Sequence, residues 1–243
     1  MEPTLRADLA RTWALVPIRG LESAKTRLGG DLDAEERRDL VVDLLRRTLR
    51  ATRDARRIAG TIVVTMDPDA AGIARDHRAI GLVERAPGLN GAITAARSVA
   101  VARGATAVLI LPADLPAIDA AAVDAVVDAG ARVAPRSADA AHAKARATPL
   151  PGDPVAQPGG EALRPKGVVV LVGDRHGSGT NALLVSPPDL IEPAFGPASR
   201  DLHGAAALAS GAAFVELAGP LALDVDTAED LVDAEATLGT IRG

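Results

Sequence analysis

The run TAVLILP at residues 106–112 is apolar throughout after its first threonine. Only a strand covered on both faces tolerates that, and sheets covered on both faces are built from mostly parallel strands joined by helices. The rest of the chain agrees. TWALVP (12–17), TIVVT (61–65), GLVER (81–85), VVVLV (168–172), ALLVS (182–186), AFVEL (213–217) and LALDV (221–225) read as further strands. Between them, residues 34–54, 68–77, 90–104, 117–129, 200–209 and 227–238 read as helices, with Asp33 capping the first and Pro68 opening the second. The pattern predicts an α/β three-layer sandwich in a single domain spanning residues 1–243.

Residues 136–166 break the alternation. This stretch holds five prolines and three glycines, and Leu150, Val155 and Leu163 are its only large aliphatics. Too little apolar surface is present to offset the entropy of ordering it, so it is expected to be a disordered insertion. In open parallel sheets, ligands bind beyond the carboxyl ends of the strands, which directs the search to the residues after 17, 65, 112, 172 and 225.

The loop VPIRGLESAKTRL (16–28) leaves the first strand with Arg19, Lys25 and Arg27 in nine residues. Such a density of cations suits a triphosphate, with lysine as a point charge and arginine as a fork; a solvated basic turn is the plain alternative. Lysine is rare here, at three of 27 basic residues, and two of those three, Lys144 and Lys166, lie in the insertion. That makes Lys25 the more telling. The loop carries neither a Walker-type nor a dinucleotide glycine pattern.

Asp114 in LPADLP (111–116) follows the most apolar strand, its loop fixed by Pro112 and Pro116. A carboxylate there suits Mg²⁺, which binds nucleotides through one or two carboxylates and phosphate oxygens. Asp119 is better placed to cap the following helix. LDVDTAEDL (223–231) is read as a strand end that turns one of Asp224 and Asp226 toward the same ion, with Thr227 capping the next helix; acidic capping explains the pair almost as well. DRHGSGTN (174–181) could wrap an anion with backbone amides, FGPASRDLH (195–203) could bind one at a helix start, and Asn90 in PGLNGAI could read a base or ribose. A structural turn, a capping Ser199 and a capping Asn90 are the respective plain alternatives.

Composition removes other classes. The absence of cysteine excludes disulfides, thiolate metal sites and a thiol nucleophile. Trp13, Phe195 and Phe214 are the only aromatics, and net charge is −5 with no basic run, so no nucleic-acid partner is expected. No stretch approaches the roughly 18 apolar residues of a membrane span, and no secretory h-region is recognised, so a cytoplasmic protein without a membrane partner is expected.

Taken in order, VPIRGLESAKTRL, EERRDLVVDLLR, PGLNGAI, LPADLP, DRHGSGTNALL, FGPASRDLH and LDVDTAEDL resemble the guanylyltransferases of coenzyme F420 biosynthesis, the CofC/FbiD family. The resemblance covers nearly all of the chain outside the first ten residues and 136–166. It implies a GT-A-type nucleotidyltransferase fold (nucleotide-diphospho-sugar transferase-like) with a twisted sheet. It also implies GTP as substrate, Mg²⁺ as cofactor, pyrophosphate release and a phosphorylated carboxylic acid as acceptor, namely phosphoenolpyruvate, 2-phospho-L-lactate or 3-phospho-D-glycerate. By motif, Thr180, Gly196 and Ser199 would hold the acceptor; Asp114 with Asp224 or Asp226 would hold metal; Lys25 and Arg27 would face the phosphates of GTP. Arg19 and Thr26 stand where the family commonly has lysine and serine. The rival reading is a nucleotidyltransferase of the same fold acting on a sugar phosphate or molybdopterin. A homodimer is left open.

Overall fold

Residues 8–22, 25, 28, 30, 32–85, 88–134 and 165–238 are described by the computed structural model. Along the chain run β1 (Thr12–Pro17), α1 (Ala34–Asp54), β2 (Ile58–Thr65), α2 (Pro68–Asp76), β3 (Ile80–Val83), α3 (Gly88–Ala102), β4 (Ala107–Ile110), α4 (Ala120–Val133), β5 (Val168–Gly173), β6 (Thr180–Ser186), α5 (Ser199–Ser210), β7 (Ala213–Leu217) and α6 (Ala228–Leu238), with a 3-10 turn at Pro220–Ala222 before the last helix. Local chemistry sets several boundaries. Asp33 accepts from the amides of Glu35 and Glu36 while the Glu36 carboxylate reaches back to the Asp33 amide, a capping box that starts α1. Asp67 caps α2 ahead of Pro68, and Asp119 accepts from the Ala122 amide to start α4.

The seven strands form one sheet in the order β3-β2-β1-β4-β6-β5-β7. Parallel pairing joins β1 to β2 and β4, β2 to β3, and β5 to β7. Strand β6 alone runs against its neighbours β4 and β5. Side-chain alternation sorts the core into two slabs. Leu109, Val168, Val170 and Leu184 face α4 and the end of α1. Val108, Ile110, Val169, Leu171 and Leu183 face α3 and α5. Helix α2 joins the first slab through Ala70 and Ala74 against Val63 and Leu45, which completes three layers. Helix α6 instead closes over the start of α1, where Val225, Leu231 and Ala234 meet Leu40 and Leu44.

Two expectations change. LALDV at 221–225 is not a strand. Pro220 offers no amide hydrogen to a ladder and opens the 3-10 turn; beyond it Val225 donates to the Asp114 carbonyl at 3.1 Å. The apolar alternation there reflects burial of Leu221 and Val225, at 2% and 0% exposure, under no sheet partner. At the other change, Pro165 and Lys166 belong to the fold, since the Lys166 amide donates to Gly211 and leads into β5. The remainder of the expected insertion, 136–164, lies outside the described residues.

Strand β3 sits so close to α2 that a Cβ on Gly81 would lie 2.2 Å from the Ala71 carbonyl oxygen. Gly81→Ala is expected to cost about 1–3 kcal/mol, seen as a lower urea midpoint; an unchanged midpoint would mean that β3 and α2 do not pack this tightly.

Candidate active site

Because β6 is reversed, its first residue, Thr180, pairs beside the last residue of β5, Gly173. The β5–β6 turn thus emerges at the same edge as the carboxyl ends of β1 and β4. A cleft of about 560 Å³ opens there. It brings together Arg19, Lys25, Asp114, Thr180, Gly196, Ser199, Asp224 and Asp226 from loops spread over the whole chain. A second cleft, about 730 Å³, adjoins it and shares Pro17, Ile18, Arg19 and Leu89. Arg27 lies outside the described residues.

Lys25 is the centre of the smaller cleft. Its side chain is 8% exposed, and its Nζ donates to Asp114 Oδ2 at 2.6 Å and to Asp226 Oδ1 at 2.8 Å. Burial alone would drive the proton off this amine, but the carboxylates of Asp114 and Asp226 outweigh it and hold the pKa above the ordinary lysine value. The backbone of Lys25 is left-handed, with φ of 58°, a conformation a non-glycine residue keeps only where its surroundings enforce it.

Asp224 also belongs to this cluster, so the expectation that only one of Asp224 and Asp226 turns inward is corrected. Residues two apart along an extended chain share a side. Burial first, then the neighbouring Asp114 charge, pushes the Asp224 pKa up, against a hydrogen bond of 3.3 Å from Asn181 Nδ2. Asn181 anchors the segment further through the Ala222 carbonyl. Three carboxylates therefore surround one ammonium. Among the described residues no ready-made group of three or more His, Cys, Asp or Glu side chains is poised on a metal ion; the lysine bridges two of the carboxylates instead.

The loop that carries Asp226 is held from behind by Asp230, a residue the sequence reading gave no role. Its Oδ2 accepts from the amides of Asp226 and Thr227 and from the Thr227 hydroxyl, and Thr227 in turn accepts from the Asp230 amide. Arg175 forms an ion pair with Asp230 and donates to Asp233 at 2.7 Å, tying the β5–β6 turn to α6. Burial would raise the Asp230 pKa, but these donors outweigh it and lower it. The signal in sequence was T-x-x-D at a helix start, a capping box whose acid also reaches a strand-edge arginine.

Facing the lysine, the second half of the cleft is lined by Gly179, Thr180, Phe195, Gly196 and Ser199, with Asp174 as its charged group. The expected anion nest at 174–181 is partly spent internally: the Ser178 amide donates to Asp174 Oδ1, the Gly177 amide to the Asp174 carbonyl, and the Asp174 amide to the Gly179 carbonyl. Arg200 likewise pins the turn through the Gly177 and Ser178 carbonyls and pairs with Glu216. What remains directed at the cleft is Thr180 at the start of β6, and Gly196 and Ser199 at the start of α5. That helix begins after Ala198 in a left-handed conformation with no side-chain cap, and backbone carbonyls satisfy its opening amides: the Ser199 amide donates to Gly196 and the Arg200 amide to Ser178. Gly196 has φ of +133°, which disfavours any side chain there although space is open. Asn90 neither caps α3 nor offers its amide to a base. Its Nδ2 donates to the Phe195 carbonyl and its Oδ1 accepts the Phe195 amide, so it fixes the turn that leads to Gly196.

His203, fully buried at 0% exposure, stands behind Thr180. Its Nδ1 lies 3.0 Å from Thr180 Oγ1, and its Nε2 accepts from the Ala194 amide at 2.9 Å. Burial pushes its pKa from 6.5 down to about 4. The unfolded chain then binds one more proton than the folded one between those values, so stability is complete above about pH 6.5 and falls as pH drops toward 4. The loss is roughly 2–3 kcal/mol at the acid end. Urea midpoints at pH 7.5 and 4.5 are expected to fall further for the wild type than for His203→Asn; equal falls would contradict the buried neutral ring.

The family described as Guanylyl transferase CofC like matches residues 12–140. A phosphoenolpyruvate guanylyltransferase from Sphaerobacter thermophilus is 37% identical over 221 residues, covering 90% of this chain and 90% of its own. One of the same name from Conexibacter woesei is 37% identical over 237 residues, with 96% and 91% covered. Among solved structures, a protein assigned as a nucleotide-diphospho-sugar transferase from Desulfovibrio desulfuricans G20 superposes with a TM-score of 0.62 at 14% identity, over 93% of this chain and 87% of that one, a likeness of fold. Matched by the family over more than half its length and by such relatives over nearly all of it, the chain belongs to the CofC-like guanylyl transferases.

Proposed function

We propose that this protein transfers GMP from GTP to phosphoenolpyruvate with release of pyrophosphate, a step in coenzyme F420 assembly carried out in the cytoplasm. The observation that carries the reading is the two-sided cleft, with a buried lysine among three carboxylates on one side and the start of α5 with Thr180 and Ser199 on the other. Phosphoenolpyruvate is preferred because both relatives bear its name. No helix among the described residues is long and apolar enough to cross a membrane.

In this reading the nucleoside occupies the larger cleft and its phosphates pass Arg19, which both clefts share, toward Lys25. Thr180, Gly196 and Ser199 bind the carboxylate and phosphate of the acceptor. An acceptor phosphate oxygen attacks the α-phosphorus of GTP. A new P–O–P bond forms, the bond from the α-phosphorus to the bridging oxygen breaks, and that oxygen leaves with its electron pair on pyrophosphate. The nucleophile is already an anion, so no general base is needed. Lys25 and Arg19 offset charge on the phosphates through the transfer.

A divalent cation fits the donor set. Asp114, Asp224 and Asp226 supply only hard oxygen ligands, and the single ammonium of Lys25 leaves the ionised cluster with excess negative charge that would repel a triphosphate. Asp114 with Asp224 or Asp226 would hold Mg²⁺, which when bound screens the triphosphate and stabilises charge on the departing pyrophosphate.

Incubating the protein with GTP, Mg²⁺ and phosphoenolpyruvate is expected to release pyrophosphate, with 2-phospho-L-lactate and 3-phospho-D-glycerate as comparison acceptors. No release with any of them would refute the reading. Asp114→Asn and Lys25→Met are each expected to lower kcat by about 100-fold or more while the far-UV circular dichroism stays that of the wild type. Full activity in either would remove that residue from the mechanism.

A further inference from the structure

The hydrogen positions of the Thr180–His203 pair are fixed by the backbone behind it. The Ala194 amide can only donate, so His203 Nε2, 2.9 Å away, must present its lone pair. A neutral imidazole then carries its single hydrogen on Nδ1, and burial keeps this ring neutral at ordinary pH. Nδ1 is 3.0 Å from Thr180 Oγ1, so the histidine donates and the hydroxyl oxygen accepts. The hydroxyl's own hydrogen is left over. Among the described residues it finds no acceptor, and Thr180 lines the cleft.

We propose that His203 is a positioning residue of the acceptor site: by donating to Thr180 it locks that hydroxyl as a donor aimed at an anion in the cleft. The proposal rests on the guanylyl-transfer reading above and deepens it. A freely rotating hydroxyl serves an alcohol or amide as well as a carboxylate, because it both gives and accepts hydrogen bonds. A hydroxyl that already accepts from the ring has its hydrogen turned away from it and free to donate, which favours carboxylate or phosphate oxygens. The same ring reaches the opposite half of the cradle. Its Nε2 holds Ala194, and its edge packs on Phe195 with centroids 4.8 Å apart, directly before Gly196. One buried side chain thereby sets the spacing between the start of β6 and the turn into α5.

Two substitutions separate the two arms of the ring. His203→Asn places an amide donor near the position of Nδ1, and His203→Gln places an amide near Nε2 and withdraws the donor from Thr180. His203→Gln is expected to raise the KM for phosphoenolpyruvate about 10-fold with the KM for GTP unchanged, and His203→Asn to stay closer to wild type. In a Thr180→Val background, His203→Gln is expected to add nothing further to the acceptor KM; a full additional rise there would overturn the proposal, because a merely structural role does not need the hydroxyl. Imidazole nitrogen shifts of the labelled protein, recorded without substrate at neutral pH, are expected to show a protonated Nδ1 and a bare Nε2, and the opposite tautomer would also overturn it. A wild type that releases no pyrophosphate with any acceptor would bring down the guanylyl-transfer reading, and the nitrogen shifts would still decide the direction of the hydrogen bond.

Discussion

A buried ammonium cannot be left alone, and the arrangement of three loops follows from that requirement. Lys25 leaves the loop after β1, Asp114 the loop after β4, and Asp226 the loop that runs from the 3-10 turn into α6, so two short charge-assisted bonds fasten segments far apart in sequence at one point of the sheet edge. Removing either carboxylate would leave the buried lysine under-compensated, and removing the lysine would set three carboxylates against one another. The left-handed backbone at Lys25 is the local strain this fastening sustains. Asp230 and Arg175 extend the same logic outward, since they fix the Asp226 loop and the β5–β6 turn to the same helix.

The other half of the cleft works by hydrogen-bond direction where the first works by charge. Asp174 and Arg200 consume several of the polar groups of the β5–β6 turn, leaving a small number of donors exposed to the cleft. Phe195, held by Asn90 from α3 and stacked edge-on to His203, keeps the entry to α5 in register with Thr180 on β6. A phosphorylated acid placed between the halves would meet cations on one side and fixed dipoles on the other, the division of labour expected for in-line transfer between two phosphates.

Much of the fold was legible because burial writes itself into period. TWALVP, the helix at 34–54 and AFVEL appear in the structure with the boundaries their patterns imply, and the fully apolar central run marks the strand flanked on both faces. LALDV misled for the same reason, since alternation reports which side of a chain is buried and does not report a ladder partner. The strand-end rule found the cleft, and Lys25, Asp114, Thr180, Gly196, Ser199 and the last aspartates do converge there. Convergence of partners was less legible. Asn90 looked like a ligand or a cap and clamps a turn 105 residues away. The T-x-x-D capping of Asp230 was readable locally, but its pairing with Arg175 and the contacts of His203 depend on the fold having already brought β6, α5 and α6 together, and no spacing in the sequence encodes that meeting.

The reversal of β6 has a consequence away from the chemistry. With β6 antiparallel to both neighbours, β5 runs in the same direction as β4, so it begins at the edge opposite the cleft, next to the end of α4, where Gly130 approaches Val168. Ala134 and Pro165 therefore leave and rejoin the fold on the far side of the sheet from Lys25 and Thr180. The two anchors of the intervening chain thus sit a strand's length from the chemistry, at the edge of the sheet that the cleft does not use.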